Sequence, residues 1–363
     1  MADGDVRLIT ARPTIRIAGV DYPLLSANIE RMAMREGPGG LSSLELTFTD
    51  WLSQPDGTAG YGATGGSPLK LGAQIKVFAG ETTGPQTIFE GMITAIEGEA
   101  GVTSPPSFTI LAEDALWKAR RLRKSRTFDN ASPADLVRAI ASDCGLTPDV
   151  RDGLDKPSRT WAQMNESDLG FLRRVLEPLD ADIVVVGDKL QAGPLARDDR
   201  LQNAPLVLTL GNALVKARVT ADLADQATEV RVGSFDPATG EAALGSAKSG
   251  ELGPGQGPMG ADILQRIAGD VREHIGVRQP MTKAEADQQA RAAFGRRARR
   301  FVRVEATAQG DARIRVGSWL KLAGLNPFFV NQYVVTEALH RFDVTSGYLT
   351  DFCAECAHLG TPA

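Results

Sequence analysis

Residues 160–174 read TWAQMNESDLGFLRR. Asn165, Ser167 and Asp168 are residue types that cap a helix and fill its first turn. Leu169, Phe171, Leu172, Val175 and Leu176 then recur at helical spacing, and Pro178 breaks the pattern. The stretch therefore predicts an amphipathic helix with a marked start. Upstream, Ser132-Pro133 opens another helix, with serine as cap and proline at the first helical position. Leu136, Val137, Ile140 and Ala141 form its apolar face and Gly145 stops it. Downstream, Ala181-Asp-Ile-Val-Val-Val reads as a strand, and a turn at 187–189 leads into Leu190-Gln-Ala. Residues 117–200 thus read as a compact α/β segment.

On both sides of it the period changes from helical to two. Before it, alternation marks strands at Thr14-Ile-Arg-Ile-Ala, Ser43-Leu-Glu-Leu-Thr-Phe-Thr, Gln74-Ile-Lys-Val-Phe, Gly91-Met-Ile-Thr-Ala-Ile and Ser107-Phe-Thr-Ile-Leu-Ala. After it come Leu206-Val-Leu-Thr-Leu, Val215-Lys-Ala-Arg-Val-Thr and Glu229-Val-Arg-Val. The chain closes on Val302-Arg-Val-Glu-Ala, Trp319-Leu-Lys-Leu, Tyr333-Val-Val-Thr-Glu-Ala and Tyr348-Leu-Thr-Asp-Phe. Residues 52–69 form a Gly-rich loop, and 233–260 read as a mobile Gly/Ala/Ser/Pro-rich loop. Two helices are expected between the later strands. One covers about 261–274; the other starts at the capping box Thr282-Lys-Ala-Glu285 and runs to about Arg300. They should pack on the 117–200 segment and bury Leu264, Ile267 and Ala268.

The two β regions look like copies. Leu71-Gly-Ala-Gln-Ile-Lys-Val matches Val316-Gly-Ser-Trp-Leu-Lys-Leu in character at each position, which makes Ile75 and Leu320 equivalent. Leu44-Glu-Leu-Thr-Phe and Thr228-Glu-Val-Arg-Val are candidate equivalents upstream. The expected fold class is α+β, mainly β: two tandem β-barrel domains, 1–116 and 201–363, with an inserted α/β segment at 117–200. A helical excursion at about 261–300 belongs to the second domain.

Composition narrows function. The chain has 363 residues, 42% hydrophobic, with 38 Gly, 20 Pro and a net charge of −5, so it is no general nucleic-acid binder. It holds no run of about 18 apolar residues, and MADGDVRLITARP lacks a signal-peptide core. Three cysteines suit a reducing compartment. There is no G-x-S-x-G, H-E-x-x-H or G-x-x-x-x-G-K motif, and no catalytic or cofactor-binding residue is assigned. Leu252-Gly-Pro-Gly-Gln-Gly lacks the strand and helix a phosphate loop needs. Cys353, Cys356 and His358 have metal-ligand chemistry within six residues, with Cys144 or a second protomer as source of a fourth ligand. The same string also suits a closing strand with two small apolar residues. The basic runs 117–126 and Arg296–Arg300 suit structural or interface roles better than nucleic acid, because aromatic interleaving is thin.

Three strings together carry a family resemblance. Gln163-Met-Asn-Glu-Ser-Asp-Leu-Gly-Phe-Leu-Arg-Arg resembles the QxNESDLxFLxR segment of contractile-tail hub proteins, the phage late control D family and the N-terminal hub region of VgrG-type spike proteins. Arg126-Thr-Phe-Asp before the first helix is similar to that family, as is the closing Tyr333-to-Thr350 run, which resembles its YxVxxxxHxxxxxxGYxTxF ending. The resemblance implies tail-tube-like β domains, a homotrimer, and as partners a tail tube protein, a spike protein and other baseplate proteins. It implies assembly in the bacterial cytoplasm and residence in the baseplate of a virion tail or injection particle. VgrG-type chains continue into an OB domain and needle; this chain stops at Ala363, so the resemblance implies a separate spike. A tail-tip enzyme such as a cell-wall hydrolase on a hub scaffold is the alternative. A metal-dependent redox or sensing module, resting on Cys353, Cys356 and His358, is a third.

Overall fold

The structure, a computed structural model, describes residues 12–53, 59–61, 68–79, 86–197, 200 and 205–361. The N-terminal stretch read for a signal peptide and most of the 52–69 loop lie outside the described residues.

The first β unit has six strands: β1 (Thr14–Ile17), β2 (Ile29–Glu36), β3 (Ser43–Thr49), β4 (Gln74–Ala79), β5 (Gln86–Glu99) and β6 (Ser107–Glu113). They lie side by side in the order β2-β3-β6-β5-β4-β1. Period-two alternation sends Met32, Met34, Leu44, Leu46, Ile75, Val77 and Ile110 into one core. Arg31, Arg35, Glu45 and Leu111 point from the opposite face.

The inserted segment holds β7 (Arg123–Ala131), α1 (Pro133–Cys144), β8 (Thr147–Val150), β9 (Arg159–Ser167), α2 (Asp168–Leu176), β10 (Ala181–Val186) and β11 (Lys189–Pro194). The two helices share a core with Trp161, Ile183 and Leu190. Ser132 and Asp135 form a full capping box, with Asp135 N donating to Ser132 Oγ at 3.2 Å. At α2 the cap is Ser167, whose Oγ accepts from Gly170 N at 3.1 Å. Asn165 instead sits in β9 with φ +48°, so the cap begins two residues later than the polar run suggests.

The second β unit comprises β12 (Leu206–Thr209), β13 (Leu214–Ala221), β17 (Val302–Gln309), β18 (Trp319–Ala323), β19 (Gln332–Asp343) and β20 (Gly347–Cys356). Their order, β13-β17-β20-β19-β18-β12, repeats that of the first unit strand for strand. The registers agree as well. Ile75 faces Gly91 as Leu320 faces Tyr333. Bulges fall at Thr94 in β5 and at Thr336 in β19, and again at Glu30 in β2 and Val215 in β13. Gly72 and Gly317 both turn the chain into the next strand at positive φ, 84° and 80°. Their N–H groups donate to the carbonyls of Ile93 and Val335, both at 2.8 Å. One difference stands: β1 runs antiparallel to β4, but β12 runs parallel to β18. Leu44 corresponds to Val304 in β17, so the proposed equivalence with Thr228–Val232 is corrected.

Between β13 and β17 lies the excursion: β14 (Glu229–Asp236), β15 (Glu241–Ala247), α3 (Gly260–Ala268), β16 (Arg272–Gly276) and α4 (Lys283–Arg299). Three expectations are corrected here. Part of the 233–260 loop is a β14–β15 hairpin. Its small residues mark close packing, since a Cβ on Gly245 would fall 2.2 Å from the Ala286 carbonyl carbon. The 261–274 helix stops at Ala268, and Gly269 leads into β16, which pairs parallel with β14. The excursion helices also do not pack mainly on the inserted segment. α4 lays Ala286, Ala290, Phe294 and Ala298 on Val230, Val232 and Ala243 of β14 and β15, because that hairpin offers a small-residue face. It touches the insert only at its two ends, through Glu285 to Arg159 and through Arg296 and Arg299 to Glu177 and Asp180. On α3, Ile267 and Ala268 are exposed and Leu264 is half-buried, while Ala261 and Ile263 face inward.

The Thr282 capping box forms as expected, with Glu285 N donating to Thr282 Oγ1 at 3.3 Å and Thr282 N to Glu285 Oε2 at 2.6 Å. Thr282→Ala should cost about 1 kcal/mol, read as a lower thermal midpoint. An unchanged midpoint would show that α4 is held by packing alone.

Candidate functional site

The two β units are one sheet. β19 pairs with β18 through Gln332–Val334 and, further along, with β2 of the first unit, from Ala338 opposite Glu36 to Asp343 opposite Arg31. The twelve strands of the two units, with the two-residue strand Val20–Asp21 paired beyond β1, therefore form one sheet across the seam among the described residues.

A buried ion cluster locks this seam. Glu36 sits in the inward phase of β2, after Met32 and Met34, with its carboxylate fully buried. Arg315 donates to it from Nη2 at 2.7 Å and from Nε at 3.0 Å, Arg200 from Nη1 at 3.1 Å, and Val316 N at 2.8 Å. Burial alone would raise the carboxyl, but the charges of Arg315 and Arg200 and these hydrogen bonds hold it well below the usual carboxylate range. Arg315 also donates to the Ile88 carbonyl and Arg200 to that of Val316. One carboxylate thus ties together the first unit, the second unit and the residue that leaves the insert. Beside it, His340 is fully buried, its Nδ1 2.8 Å from the Tyr348 hydroxyl. Burial, reinforced by the Arg315 charge, pushes its pKa down to about 3.

The insert clasps the turn between β2 and β3. Gly39 N donates to Asp182 Oδ1 at 2.8 Å and Arg173 Nε to the Gly39 carbonyl at 2.7 Å, while Asp114 of the first unit accepts from Ser42 N at 2.7 Å. Gly40 is needed there: at φ +94° a Cβ would lie 2.9 Å from both Ile183 and Leu116. Burial pushes Asp182 and Asp114 up to about 6, against the pull of these N–H groups.

The basic runs are largely consumed inside the chain. Lys124 and Arg126 both reach Asp143 and Asp168. Arg296 pairs with Glu177 and Arg299 with Asp180, fixing the end of α4 to the insert, while Arg297 pairs with Glu273 of β16 within the excursion. The metal candidates are not brought together. Three residues apart on β20, Cys353 and Cys356 point to opposite faces. Cys356 is buried, with its thiol pushed up to about 12 by burial, and His358 Nδ1 lies 2.9 Å from the Gly257 carbonyl. Cys144 lies in the insert core. Among the described residues no group of three His, Cys, Asp or Glu is placed to hold a metal ion.

The outer face of the shared sheet is polar. A groove of 740 Å³ crosses it, lined by Arg35, Lys216, Arg218, Glu305, Glu337, Asp351 and Cys353 among others. A second cleft, of 1110 Å³, separates the insert from the excursion; its Glu285 is already committed to the α4 cap and to Arg159. Sequence reading missed the Glu36–Arg315–Arg200 cluster. Its signal was a glutamate in the apolar phase of a strand. No described helix is long and apolar enough to cross a membrane.

Comparison with known proteins follows the same lines. The type VI secretion system spike protein VgrG1c of Pseudomonas aeruginosa is 26% identical over 167 residues, 45% of this chain and 22% of the relative. The match thus spans about a fifth of that relative's length. The 43 kDa tail protein of prophage MuSo2 from Shewanella oneidensis superposes with a TM-score of 0.65 at 11% identity, over 94% of this chain and 97% of that one. The E. coli c3393 protein, a type VI secretion component described as similar to bacteriophage T4 tail proteins gp27 and gp5, gives 0.58 at 12% identity, over 96% and 79%. These likenesses give the chain a phage-tail hub fold. The Alg8 N-terminal domain family model matches residues 56–343, most of the chain, and the protein belongs to that family.

Proposed function

We infer that the chain is a structural baseplate hub of a contractile tail or injection machine, a trimeric adaptor between a six-fold tail tube and a three-fold spike. The observation that carries this reading is the duplication. Each chain offers two β units of one strand order in a single sheet, so three chains present six near-equivalent positions. Such a ring matches a hexameric tube without breaking its contacts. Closure needs a head-to-tail interface repeated about the axis, burying more than roughly 2,000 Å² per contact. The work is geometric and turns over no substrate. Tube, spike and other baseplate proteins are the partners, met in the bacterial cytoplasm before the hub takes its place in the particle.

The test is the mass and symmetry of the complex formed with tube and spike proteins. Three chains in a ring of pseudo-six-fold symmetry are expected; one-fold or two-fold assembly would remove the hub reading.

A further inference from the structure

The chain carries a template for its own assembly contact. At the seam, β19 beyond its Thr336 bulge pairs with β2 beyond its Glu30 bulge. The counterpart of β19 is β5, and the counterpart of β2 is β13. Registers and bulges equate Ile96, Glu97, Gly98 and Glu99 with Ala338, Leu339, His340 and Arg341. By the same rule Arg218, Val219, Thr220 and Ala221 equate with Ala33, Met34, Arg35 and Glu36. Yet β5 from Ala95 to Glu99 and the outer edge of β13 have no strand partner among the described residues. Each leaves an apolar side chain exposed, Ile96 and Val215. Open edges of this kind call for a partner strand.

We propose that β5 of one copy pairs antiparallel with β13 of a second copy, in the register the chain uses at its own seam. Ile96 then faces Ala221, Gly98 faces Val219, and Glu99 faces Arg218 of the neighbour. The charges fit this occupant. The β5 edge carries Glu97 and Glu99, and the β13 edge carries Lys216 and Arg218. Among the described residues none of the four makes a salt bridge within the chain, although Arg218 lies opposite Glu305 on β17 and the charge of Lys216 acts on Asp351. In this register Glu99 lies opposite Arg218 and diagonal to Lys216, and Glu97 lies diagonal to Arg218, all on one face. A shift by one residue would place Glu99 on the wrong face and lose every pair. The proposal rests on the ring reading and adds its edges, register and polarity.

The full-length chain is assembled with tube and spike proteins, and cysteines are placed at Glu99→Cys and Arg218→Cys together. Oxidation is expected to link copies covalently into a ladder ending at three chains, while neither single variant does so. Glu99→Arg or Arg218→Glu alone should lower ring yield at least roughly fivefold, and the two together should restore it to within about twofold of wild type. Both residues are exposed, so each variant should keep the wild-type thermal midpoint in the unassembled chain. A three-chain ring without cross-link or rescue overturns the register and leaves the hub reading standing. A cross-link to tube or spike overturns the choice of occupant. A wild-type complex with one or two chains removes ring and pairing together.

Discussion

Glu36→Gln is expected to lower the unfolding free energy by about 3–5 kcal/mol, the range for removing one partner of a buried ion pair. The carboxylate accepts from two guanidinium groups and one backbone N–H in a site closed to water. Without its charge, Arg315 and Arg200 stay buried and repel each other, and Asp114, the other carboxylate acting on Arg315, makes no ion pair with either guanidinium. Glu45→Gln, on the exposed face of the adjacent strand β3, should stay within about 0.5 kcal/mol of wild type. Chemical denaturation of the three proteins decides the matter. The double variant Glu36→Gln with Arg315→Met should cost less than the sum of its singles, because the second change removes a charge the first left unpaired. A loss below about 1 kcal/mol for Glu36→Gln, or strict additivity, would show that packing and strand pairing alone hold the seam.

What the sequence made legible was what local pattern decides. The Ser132 and Thr282 caps, the apolar stripe of α2 and the alternating strands all depend on neighbours within a few residues. The repeat was visible at Leu71–Val77 and Val316–Leu322 because both carry a glycine at positive φ before an alternating strand. The rest depends on partners far along the chain. Glu36 and Arg315 are 279 residues apart, and no period links them. The small residues of β15 read as loop because alanine and glycine suit both a mobile segment and a surface on which a helix lies close. α3 ended early because Gly269 and the pairing of β16 with β14 outweighed a helical pattern. Cys353 and Cys356 part for a local reason: a three-residue spacing joins side chains on a helix and places them on opposite faces of a strand.

Acidification should weaken the fold well before carboxylates at the seam titrate, and His340 is the reason. Its folded pKa is depressed to about 3 by burial and by the Arg315 charge, against an ordinary value of 6.5. A base with a depressed folded pKa contributes stability that is present in full above its unfolded value and fades as pH falls below it. From pH 7 to pH 4 this one imidazole should therefore remove about 3 kcal/mol. Other groups act in neighbouring windows. Glu36, also depressed, loses its contribution only as pH falls below the ordinary carboxylate value of 4.5. Asp114 and Asp182, raised to about 6, act with the opposite sign and favour the fold as they protonate. Comparing wild type with His340→Gln cancels these shared terms, because glutamine keeps a hydrogen-bond partner for Tyr348 and cannot titrate. Urea midpoints measured from pH 7 to pH 4 should converge, wild type losing the extra stability and the variant not. Parallel curves through that interval would show that His340 is protonated at no cost in the fold, and that the ring and its charged neighbours accommodate the imidazolium.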